Sequence, residues 1–332
     1  MVAVVPVLTM YERFFGVQKA PFKLTPDPEF FYLTPQYQEA LAGLAYAILA
    51  RKGFVVLTGN AGAGKTTVVR RIMHSLPAER VQSSVIVHPT LSPAEFLEAT
   101  LLDFGFTDIP ASKPQRIAAL QSFLWKGHEQ GRISALIVDE AHKLSLEVLE
   151  EIRLLGNFES ADEKLLQVAL VGQSELDDVL DHQCLRQLKQ RIALRLSIDP
   201  LSAADTEKYI AYRWRKASGD TAPFTAESLV HISLASQGVP RVINVICDNA
   251  LTRAFGEGSA LVEVQHVHGA CRDLHLPPPV SPKTLTAEGL APLQPVELCP
   301  FKTPERHAVS AAPSLWSRLG SKLGIVQRIR TA

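Results

Sequence analysis

Short apolar runs alternate with amphipathic stretches of helical length through the middle of the chain. Each run is five to seven residues long and rich in Val, Ile and Leu. Continuous runs of this kind are typical of strands buried on both faces, and strands that alternate with helices form parallel sheets. The pattern therefore predicts an α/β fold, a three-layer sandwich with helices on both faces of a parallel five-stranded sheet. The predicted strands are FVVLT (54–58), SVIVH (84–88), SALIVD (134–139), QVALVG (167–172) and IALRLSI (192–198).

A different pattern follows from Leu201 to Asp273, where the strand signal disappears. Thr225 is a favoured residue just before a helix, with Glu227 in the first turn, and Pro240 fits the first turn of another helix. Three or four helices are expected over this stretch. A small all-α domain is thus predicted to follow the sheet domain.

Proline content marks the end of the predicted folded region. Nine of the 22 prolines lie in the last 57 residues, where periodic apolar positions are rare, as is typical of an extended, disordered linker. Within residues 313–332, apolar positions recur at helical spacing among four basic residues, which predicts a short basic amphipathic helix. That helix is expected either to be solvated or packed on its own domain, or to bind a partner or an anionic membrane surface.

The chain is therefore predicted to have five parts. They are an N-terminal leader (1–34), the α/β domain (35–199), the helical domain (200–275), a Pro-rich linker (276–312) and the basic amphipathic helix (313–332). No internal repeat is present, which excludes a solenoid.

Charge and composition narrow the function further. The 34 basic and 34 acidic residues balance, so the chain as a whole has no field that would draw it to nucleic acid. Its four cysteines are widely spaced without a C-x-x-C pair, which fits a reducing cytosol. No apolar stretch approaches the roughly 20 residues of a transmembrane helix, so a soluble cytoplasmic protein is expected. The apolar N-terminus lacks the basic region of a secretion signal, and Met10 is an alternative start to Met1.

The residues after the first predicted strand carry the strongest motif. The segment reads GNAGAGKT and satisfies G-x-x-x-x-G-K-[ST], with a strand before it and a helix after it. Its glycines let the backbone wrap around phosphate oxygens and point several N–H groups at them. Simple packing at a strand-to-helix turn is the alternative, but the complete motif in this context predicts a site for ATP and Mg²⁺. The predicted binding residues are Gly59, Asn60, Ala61, Gly62, Ala63, Gly64, Lys65, Thr66 and Thr67.

Four side chains are expected to divide the work of binding and cleavage. Lys65 would place its charge between the β- and γ-phosphates, and Thr66 would offer its hydroxyl to Mg²⁺. Asp139 and Glu140 follow the apolar residues of the third predicted strand. Asp139 would hold Mg²⁺ through its water shell, and Glu140 would polarise the water that attacks the γ-phosphorus. The alternative is that both acids cap the next helix.

Three further polar residues are candidates near this site. His142 completes a D-E-A-H sequence that also occurs in helicases, but no other helicase motif is present, and both a water relay and a surface position remain open for it. Gln173 follows the fourth predicted strand, expected between the phosphate-loop strand and the carboxylate strand, and is predicted to sense the γ-phosphate. A plain polar strand end is the alternative. Asn157 is a weaker candidate for contacting Glu140.

Arginines are expected to complete the site. Nothing within one subunit neutralises the charge that builds on the γ-phosphate, so an arginine from a neighbouring copy is predicted, which implies a homo-oligomeric ring or filament. Arg191, just before the last strand, is predicted for this role in trans, with Arg186 as second choice and a solvated basic helix face as the alternative. Arg241, beside Pro240, is predicted to reach the phosphates and to couple nucleotide state to the angle between the domains.

These motifs resemble one family of AAA+ ATPases. From Tyr11 to Leu274 the chain is similar to the general secretion pathway protein A (ExeA-like) family, related to MSHA pilus-biogenesis and TniB-type transposition ATPases. The resemblance implies an AAA+ ATPase with a helical lid that hydrolyses ATP to drive assembly of an envelope machine, usually with a partner ATPase or membrane protein. The matching blocks are the leader FFG…APFKLTPDPEFFYLTPQYQEAL, GNAGAGKTT, LIVDEAHKLSLEVLEEIRLLGNFES, LLQVALVGQSEL, LRQLKQRIALRLSIDPLS and GVPRVIN.

The resemblance also implies that the leader packs on the nucleotide site, with Phe15, Pro21 and Tyr37 in the wall of the adenine pocket. Two departures stand out. Secretion members commonly continue into a transmembrane helix and a peptidoglycan-binding domain, so direct peptidoglycan binding is not expected of this sequence. Position 37 carries Tyr where histidine is frequent.

Three functions are consistent with the sequence. The first is an oligomeric ATPase that serves a secretion, pilus or polysaccharide-export system, cytoplasmic, with residues 313–332 as a tether to a partner or to the inner membrane. The second is a DNA-associated ATPase that selects targets for a transposase, since a ring can gather basic residues on one face. The third is a nucleotide switch without hydrolysis, which the presence of Glu140 disfavours.

Overall fold

The computed structural model describes residues 10–276 apart from 26, 88, 89 and 219. Within that range five parallel strands form a single sheet in the order β2-β3-β4-β1-β5. The predicted α/β fold class is confirmed, and β4 lies between the strand that precedes the phosphate loop and the strand that precedes the carboxylates. The strands are β1 (Phe54–Gly59), β2 (Val81–Ile86), β3 (Ile133–Val138), β4 (Leu166–Val171) and β5 (Ile192–Ile198).

The start of β2 differs from the sequence prediction by three residues. The strand begins at Val81 rather than at position 84, because the polar Gln82 and its two serine neighbours obscure the apolar run. The Gln82 side chain has its hydrogen-bond partner on the adjacent strand, because its amide donates to the hydroxyl of Ser134 on β3 at 2.7 Å. The predicted end at His88 lies outside the described residues.

Twelve helices surround the sheet or follow it within the described range. Those on the sheet are α2 (Pro35–Leu49), α3 (Lys65–Ser75), α4 (Pro93–Asp103), α5 (Lys113–Glu129), α6 (Leu146–Leu155), α7 (Glu175–Leu180) and α8 (Arg186–Arg191). Three short 3₁₀ helices, Pro28–Phe30, Ala141–Lys143 and Gln183–Leu185, complete the connections.

The two faces of the sheet bury alternate residues of each strand. On β1, Val55 and Leu57 pack with α2 and α3, whereas Phe54 and Val56 pack with α4, α5 and α6. Successive side chains of a strand point to opposite faces, so a strand with helices on both sides must be apolar at every position. This requirement explains why the strands read as continuous apolar runs and not as alternating ones.

The N-terminus of α2 sets the position of Tyr37, which is important for the site. The Thr34 hydroxyl accepts a hydrogen bond from the Tyr37 backbone N–H at 3.2 Å, and Pro35 occupies the first turn. A threonine cap followed by proline satisfies an otherwise unpaired N–H and favours helical geometry at this point. The cap therefore fixes the backbone position from which the Tyr37 side chain extends.

The helical domain contains α9 (Ala203–Ser218), α10 (Ala226–Ser236), α11 (Pro240–Gly256) and α12 (Val264–Asp273). Thr225 caps α10 by accepting from the Ser228 N–H at 3.2 Å, and Pro240 opens α11, both as predicted. Helix α1 (Met10–Phe14) and the rest of the leader add apolar side chains to this core. The leader contributes Tyr11, Val17, Phe22 and Phe30.

Two sequence predictions concern segments outside the described residues. They are the start of the chain at Met1 and the linker and amphipathic helix after position 276. Within the described part of the chain, no helix combines the length and the apolar character that crossing a bilayer requires.

Candidate functional site

The phosphate loop connects the end of β1 to the start of α3. Gly62 and Gly64 adopt left-handed backbone angles, with φ of 77° and 91°, and Gly64 is the last residue before the helix. Residues with a Cβ are disfavoured there, so the glycines of the motif permit the tight turn. The loop closes with a hydrogen bond from the Ala63 N–H to the Asn60 carbonyl at 3.1 Å.

Lys65 lies at the centre of this loop. Its amine donates to the carbonyls of Gly59 and Asn60 at 2.7 and 2.9 Å, and the residue is 95% buried. Burial lowers the pKa of Lys65, and the nearby carboxylates of Glu140 and Asp139 act in the opposite direction. The lysine amine is therefore held at the loop, close to the acidic residues that follow β3.

Tyr37 contacts the outside of the same loop. Its hydroxyl donates to the Ala63 carbonyl at 2.7 Å, and a Cβ on Gly64 would lie 3.1 Å from the hydroxyl oxygen. The side chain also borders the cleft described below. The sequence resemblance implied an adenine contact for this residue, whereas in the structure its polar end supports the phosphate loop.

Thr66 and Asp139 bring two oxygen ligands together. The Thr66 hydroxyl donates to Asp139 Oδ2 at 2.7 Å, while Asp139 Oδ1 accepts the backbone N–H of Glu140 at 2.9 Å. Asp139 is only 2% exposed and follows β3 directly. A hydroxyl and a carboxylate side by side are hard oxygen donors of the kind that Mg²⁺ binds in nucleotide sites, so these residues fit that ion.

Glu140 leaves the strand end in an unusual backbone conformation. Its φ and ψ are 55° and 33°, in the left-handed region, which costs a non-glycine residue about 1 kcal/mol or more. Its carboxylate Oε2 lies 3.5 Å from His142 Nε2 and 3.7 Å from Lys143 Nζ. The structure therefore brings Glu140 to the same end of the sheet as the phosphate loop.

Gln173 follows β4 and borders the cleft. Its backbone N–H donates to His142 Nδ1 at 3.3 Å, and its side-chain nitrogen lies 3.2 Å from His142 Nε2. Asn157, in contrast, follows the end of α6 and is exposed. The preceding Gly156 lies against Phe54, the first residue of β1, so Asn157 is at the opposite end of the sheet and the suggested contact with Glu140 is wrong.

Arg191 also lies at that opposite end. It directly precedes β5, whose first residue pairs in register with Phe54, whereas the phosphate loop follows Gly59 at the other end of β1. Its guanidinium donates to the Arg153 carbonyl at 3.0 Å. Arg186, the second choice, is exposed at the start of α8. Neither arginine reaches the phosphate loop of its own chain.

Arg241 joins the helical domain to the phosphate loop. Its N–H donates weakly to the Gly62 carbonyl at 3.4 Å, and a Cβ on Gly62 would come within 2.8 Å of the Arg241 Cβ. The side chain is exposed and borders the cleft. The structure thus places Arg241 in direct contact with the phosphate loop, and its reach to the phosphates stays a prediction.

These residues surround one cleft of about 680 Å³ between the sheet, the leader and the helical domain. One part of its lining consists of predicted site residues, namely Ala61, Gly62, Gly64, Lys65, Thr66, Thr67, Asp139, Glu140, Gln173 and Arg241. Much of the other part comes from the leader residues Lys23, Leu24, Thr25, Asp27, Phe30, Phe31 and Tyr32. Phe15 packs against Trp214, with ring centroids 6.1 Å apart, and Pro21 contributes a carbonyl to Arg213, so the cleft lining does not include these two leader residues.

Three residues of the cleft were missed by the sequence interpretation. Arg213, Tyr209 and Asn244 form a buried chain in which Arg213 Nη1 donates to the Tyr209 hydroxyl at 3.1 Å, and this hydroxyl donates to Asn244 Oδ1 at 2.9 Å. The available signal was the spacing of Tyr209 and Arg213, four residues apart on one face of a helix. An arginine on the apolar face of an amphipathic helix indicates a buried polar network.

Comparison with known proteins identifies the class of protein that this fold and site define. Residues 48–180 match the family model of the AAA domain. Over those residues the chain is similar to the AAA domain, and its fold is that of a P-loop NTPase. Solved structures with the same fold include Drosophila ORC bound to DNA, with a TM-score of 0.62, 18% identity, and coverage of 84% of this chain and 68% of that one. The ORC2 protein of Aeropyrum pernix gives a TM-score of 0.58 at 16% identity, covering 77% and 71% of the two chains.

Among curated proteins, the chain is similar to general secretion pathway protein A of Aeromonas hydrophila. The two are 40% identical over 261 residues, which are 78% of this chain and 47% of the relative, so the chain spans about half the length of that protein. This similarity confirms the resemblance drawn from the motifs. A weaker similarity, 28% identity over 255 residues, links 76% of the chain to 75% of the ATP-dependent target DNA activator B of Escherichia phage Mu.

Proposed function

We propose that this protein binds ATP with Mg²⁺ and hydrolyses it, and that an oligomer uses this cycle to assemble or remodel an envelope machine. The observation that carries the proposal is the convergence of Lys65, the Thr66–Asp139 pair and Glu140 at one end of one cleft. Each residue type matches one requirement of phosphoryl transfer to water.

The phosphate loop binds and orients the phosphate chain of ATP. Its backbone N–H groups and the N-terminus of α3 suit the phosphate chain, and Lys65 adds a full positive charge. Thr66 and Asp139 would hold Mg²⁺, which when bound neutralises part of the phosphate charge and stabilises the transition state. Tyr37 keeps the loop in shape from outside, through its hydrogen bond to Ala63.

Glu140 supplies the base. Its carboxylate accepts a proton from a water molecule as the water oxygen forms a bond to the γ-phosphorus. The bond between that phosphorus and the β–γ bridging oxygen breaks, so ADP leaves with the bonding electron pair and inorganic phosphate is released. Gln173, at the tip of the neighbouring strand, is proposed to contact the γ-phosphate before cleavage.

The test of this reaction is the Glu140→Gln variant, with Glu129→Gln as a matched control on the exposed end of α5. We expect Glu140→Gln to bind ATP with wild-type affinity and to lose at least 100-fold in kcat, since the amide cannot take the proton. Glu129→Gln should keep wild-type turnover. Undiminished turnover by Glu140→Gln would refute the assignment, and turnover by the wild type would exclude the nucleotide-switch alternative.

Arg191 is proposed to act on the site of a neighbouring copy. Its position at the opposite end of the sheet from its own phosphate loop supports this, because any action of Arg191 on a phosphate must then be on the site of another copy. Mixing inactive Arg191→Ala with inactive Glu140→Gln should restore activity, since some interfaces then combine an intact base with an intact arginine. Random pairing predicts recovery to about a quarter of wild-type activity. No recovery in mixed oligomers would remove Arg191 from the reaction.

The client is proposed to be an envelope assembly system, from the similarity to general secretion pathway protein A. We propose a cytoplasmic location, with residues 313–332 binding a protein partner or the inner membrane. Flotation with anionic vesicles that is lost on deleting these residues would support the membrane contact, and no flotation would leave the protein partner.

Target-DNA activation is the second candidate, because the chain also resembles a protein named for that activity over three quarters of its length. Binding to duplex DNA that requires ATP and weakens steeply with salt would favour this candidate. Absence of DNA binding at low salt in the presence of ATP would leave the envelope function.

A further inference from the structure

His142 occupies a position between Glu140 and Gln173 that the reaction described above does not use. It belongs to the 3₁₀ helix Ala141–Lys143, and only 11% of its side chain is exposed. One ring nitrogen, Nδ1, lies 3.3 Å from the backbone nitrogen of Gln173, and the other, Nε2, lies 3.5 Å from Glu140 Oε2. The ring therefore spans the gap between the tips of β3 and β4.

The contact with the Gln173 backbone determines where the ring carries its proton. A backbone N–H can only donate, so Nδ1 must accept, and a neutral imidazole then carries its proton on Nε2. This N–H faces the Glu140 carboxylate and the side-chain amide of Gln173, which can present its oxygen after a half-turn about its last bond. One N–H group thus lies within 3.5 Å of both side chains.

The backbone around His142 holds the ring in place. Ala141 is fully buried, and Leu144 is nearly so. Gly172, the residue before Gln173, approaches so closely that a Cβ there would lie 3.2 Å from the backbone nitrogen of His142. A larger residue at position 172 would separate the two strand tips, so the glycine permits the contact between His142 and Gln173.

Lys143 is the other cation next to Glu140, and it is a weaker candidate for orienting the carboxylate. Its amine lies 3.7 Å from Glu140 Oε2, but 55% of its side chain is exposed, against 11% for His142. Solvent screens an exposed pair of this kind, and a flexible lysine does not fix a direction. Among the described residues, His142 is the partner that also touches the β4 tip.

We infer that His142 is a positioning residue that transmits the orientation of Gln173 to the Glu140 carboxylate. This inference rests on the proposed hydrolysis and extends it. When Gln173 moves to contact a γ-phosphate, the ring follows the Gln173 backbone, and its Nε2–H directs the carboxylate toward the attacking water. Sensing at β4 and base action at β3 are in this way joined through one side chain.

The test compares three substitutions at one position in the full-length chain. Asn mimics only the Nδ1 end of histidine, and Gln reaches the position of Nε2. We expect His142→Ala and His142→Asn to lower kcat about tenfold or more through misdirection of the base, while the affinity for ATP changes less than about twofold. His142→Gln can donate to Glu140 but cannot also accept from the Gln173 backbone N–H, so it should recover only part of the rate. His74→Ala, which replaces an exposed histidine at the end of α3, should stay within about threefold of wild type.

A double-mutant cycle separates coupling from a general structural effect. If His142 acts through Gln173, the His142→Ala/Gln173→Ala protein should be no slower than the slower single variant. Multiplied losses, a wild-type kcat for His142→Ala, or full rescue by His142→Gln would overturn the inference. A wild-type chain without turnover would instead refute the proposed function, and the inference with it.

Discussion

Arg213 is expected to be the main polar connection between the leader and the helical domain, and its replacement tests this view of the cleft. Its Nε donates to the Pro21 carbonyl at 2.6 Å and its Nη1 to the Tyr209 hydroxyl at 3.1 Å. The guanidinium also lies 5.1 Å from the ring centroid of Phe30 and 5.5 Å from that of Tyr209. The residue is 93% buried, so its partners have little access to water.

The magnitude follows from these contacts. Each hydrogen bond from a charged donor contributes about 1.5–3 kcal/mol, and each desolvated cation–π contact about 1–2 kcal/mol. Removing the arginine also removes the desolvation cost of its buried charge. This offsets several kcal/mol of the stability lost with the hydrogen bonds and cation–π contacts. We therefore expect Arg213→Ala to lower the free energy of unfolding by about 3 kcal/mol, and Arg213→Met, which keeps apolar volume, by about 2 kcal/mol.

Urea denaturation followed by tryptophan fluorescence measures this loss. Trp214 is buried beside Arg213 in the same core, and replacing Trp125 and Trp316 by Phe leaves it as the reporter. Arg215→Ala is the matched control, because Arg215 lies two positions further along α9 and is exposed. A loss below about 0.5 kcal/mol for Arg213→Ala, equal to that of Arg215→Ala, would refute the argument.

Three other changes have defined outcomes. Tyr37→Phe leaves the buried Ala63 carbonyl unpaired, so it should lower the free energy of unfolding by about 1–2 kcal/mol. It should also weaken ATP binding several-fold as measured by calorimetry, and unchanged affinity would contradict a supporting role of Tyr37 at the loop. Gly238→Ala places a Cβ about 2.0 Å from the Leu201 carbonyl oxygen at a φ of 72° and should lower stability by about 3 kcal/mol or more in urea denaturation. Burial raises the pKa of Asp248, so the folded state favours the protonated form of this carboxyl. The negative charge of Asp248 therefore destabilises the folded state at neutral pH. Asp248→Asn should therefore be more stable than wild type at pH 7, and the difference in melting temperature should vanish as the pH falls below about 4.

The sheet and the phosphate-binding end of the site could be predicted from the sequence because their signals are local. A strand buried on both faces must be apolar throughout, and a loop that wraps phosphate needs glycines at particular positions. Parallel strands end at the same edge, so Lys65, Asp139 and Gln173 could be expected to meet once their strands were recognised. The edge strand β2 was harder, since polar residues such as Gln82 find partners on a neighbouring strand.

The parts that failed or stayed open depend on contacts between distant segments. Nothing near Phe15 in the sequence indicates that its ring packs on Trp214 in a helix some 200 residues later. Asn157 was misplaced because the length of α6 carries the chain back to the far end of the sheet. The role of His142 could not be decided from the sequence, since its neighbour Gln173 belongs to another strand.

The direct contact between Gly62 and Arg241 lies at the start of α11, so the helical domain can amplify a small movement at the phosphate loop. Helix α11 has 17 residues and extends about 25 Å from that contact. A tilt of about 5° at the phosphate loop would thus swing its far end by about 2 Å. A displacement too small to disturb the loop can in this way become a movement large enough for a bound protein to follow.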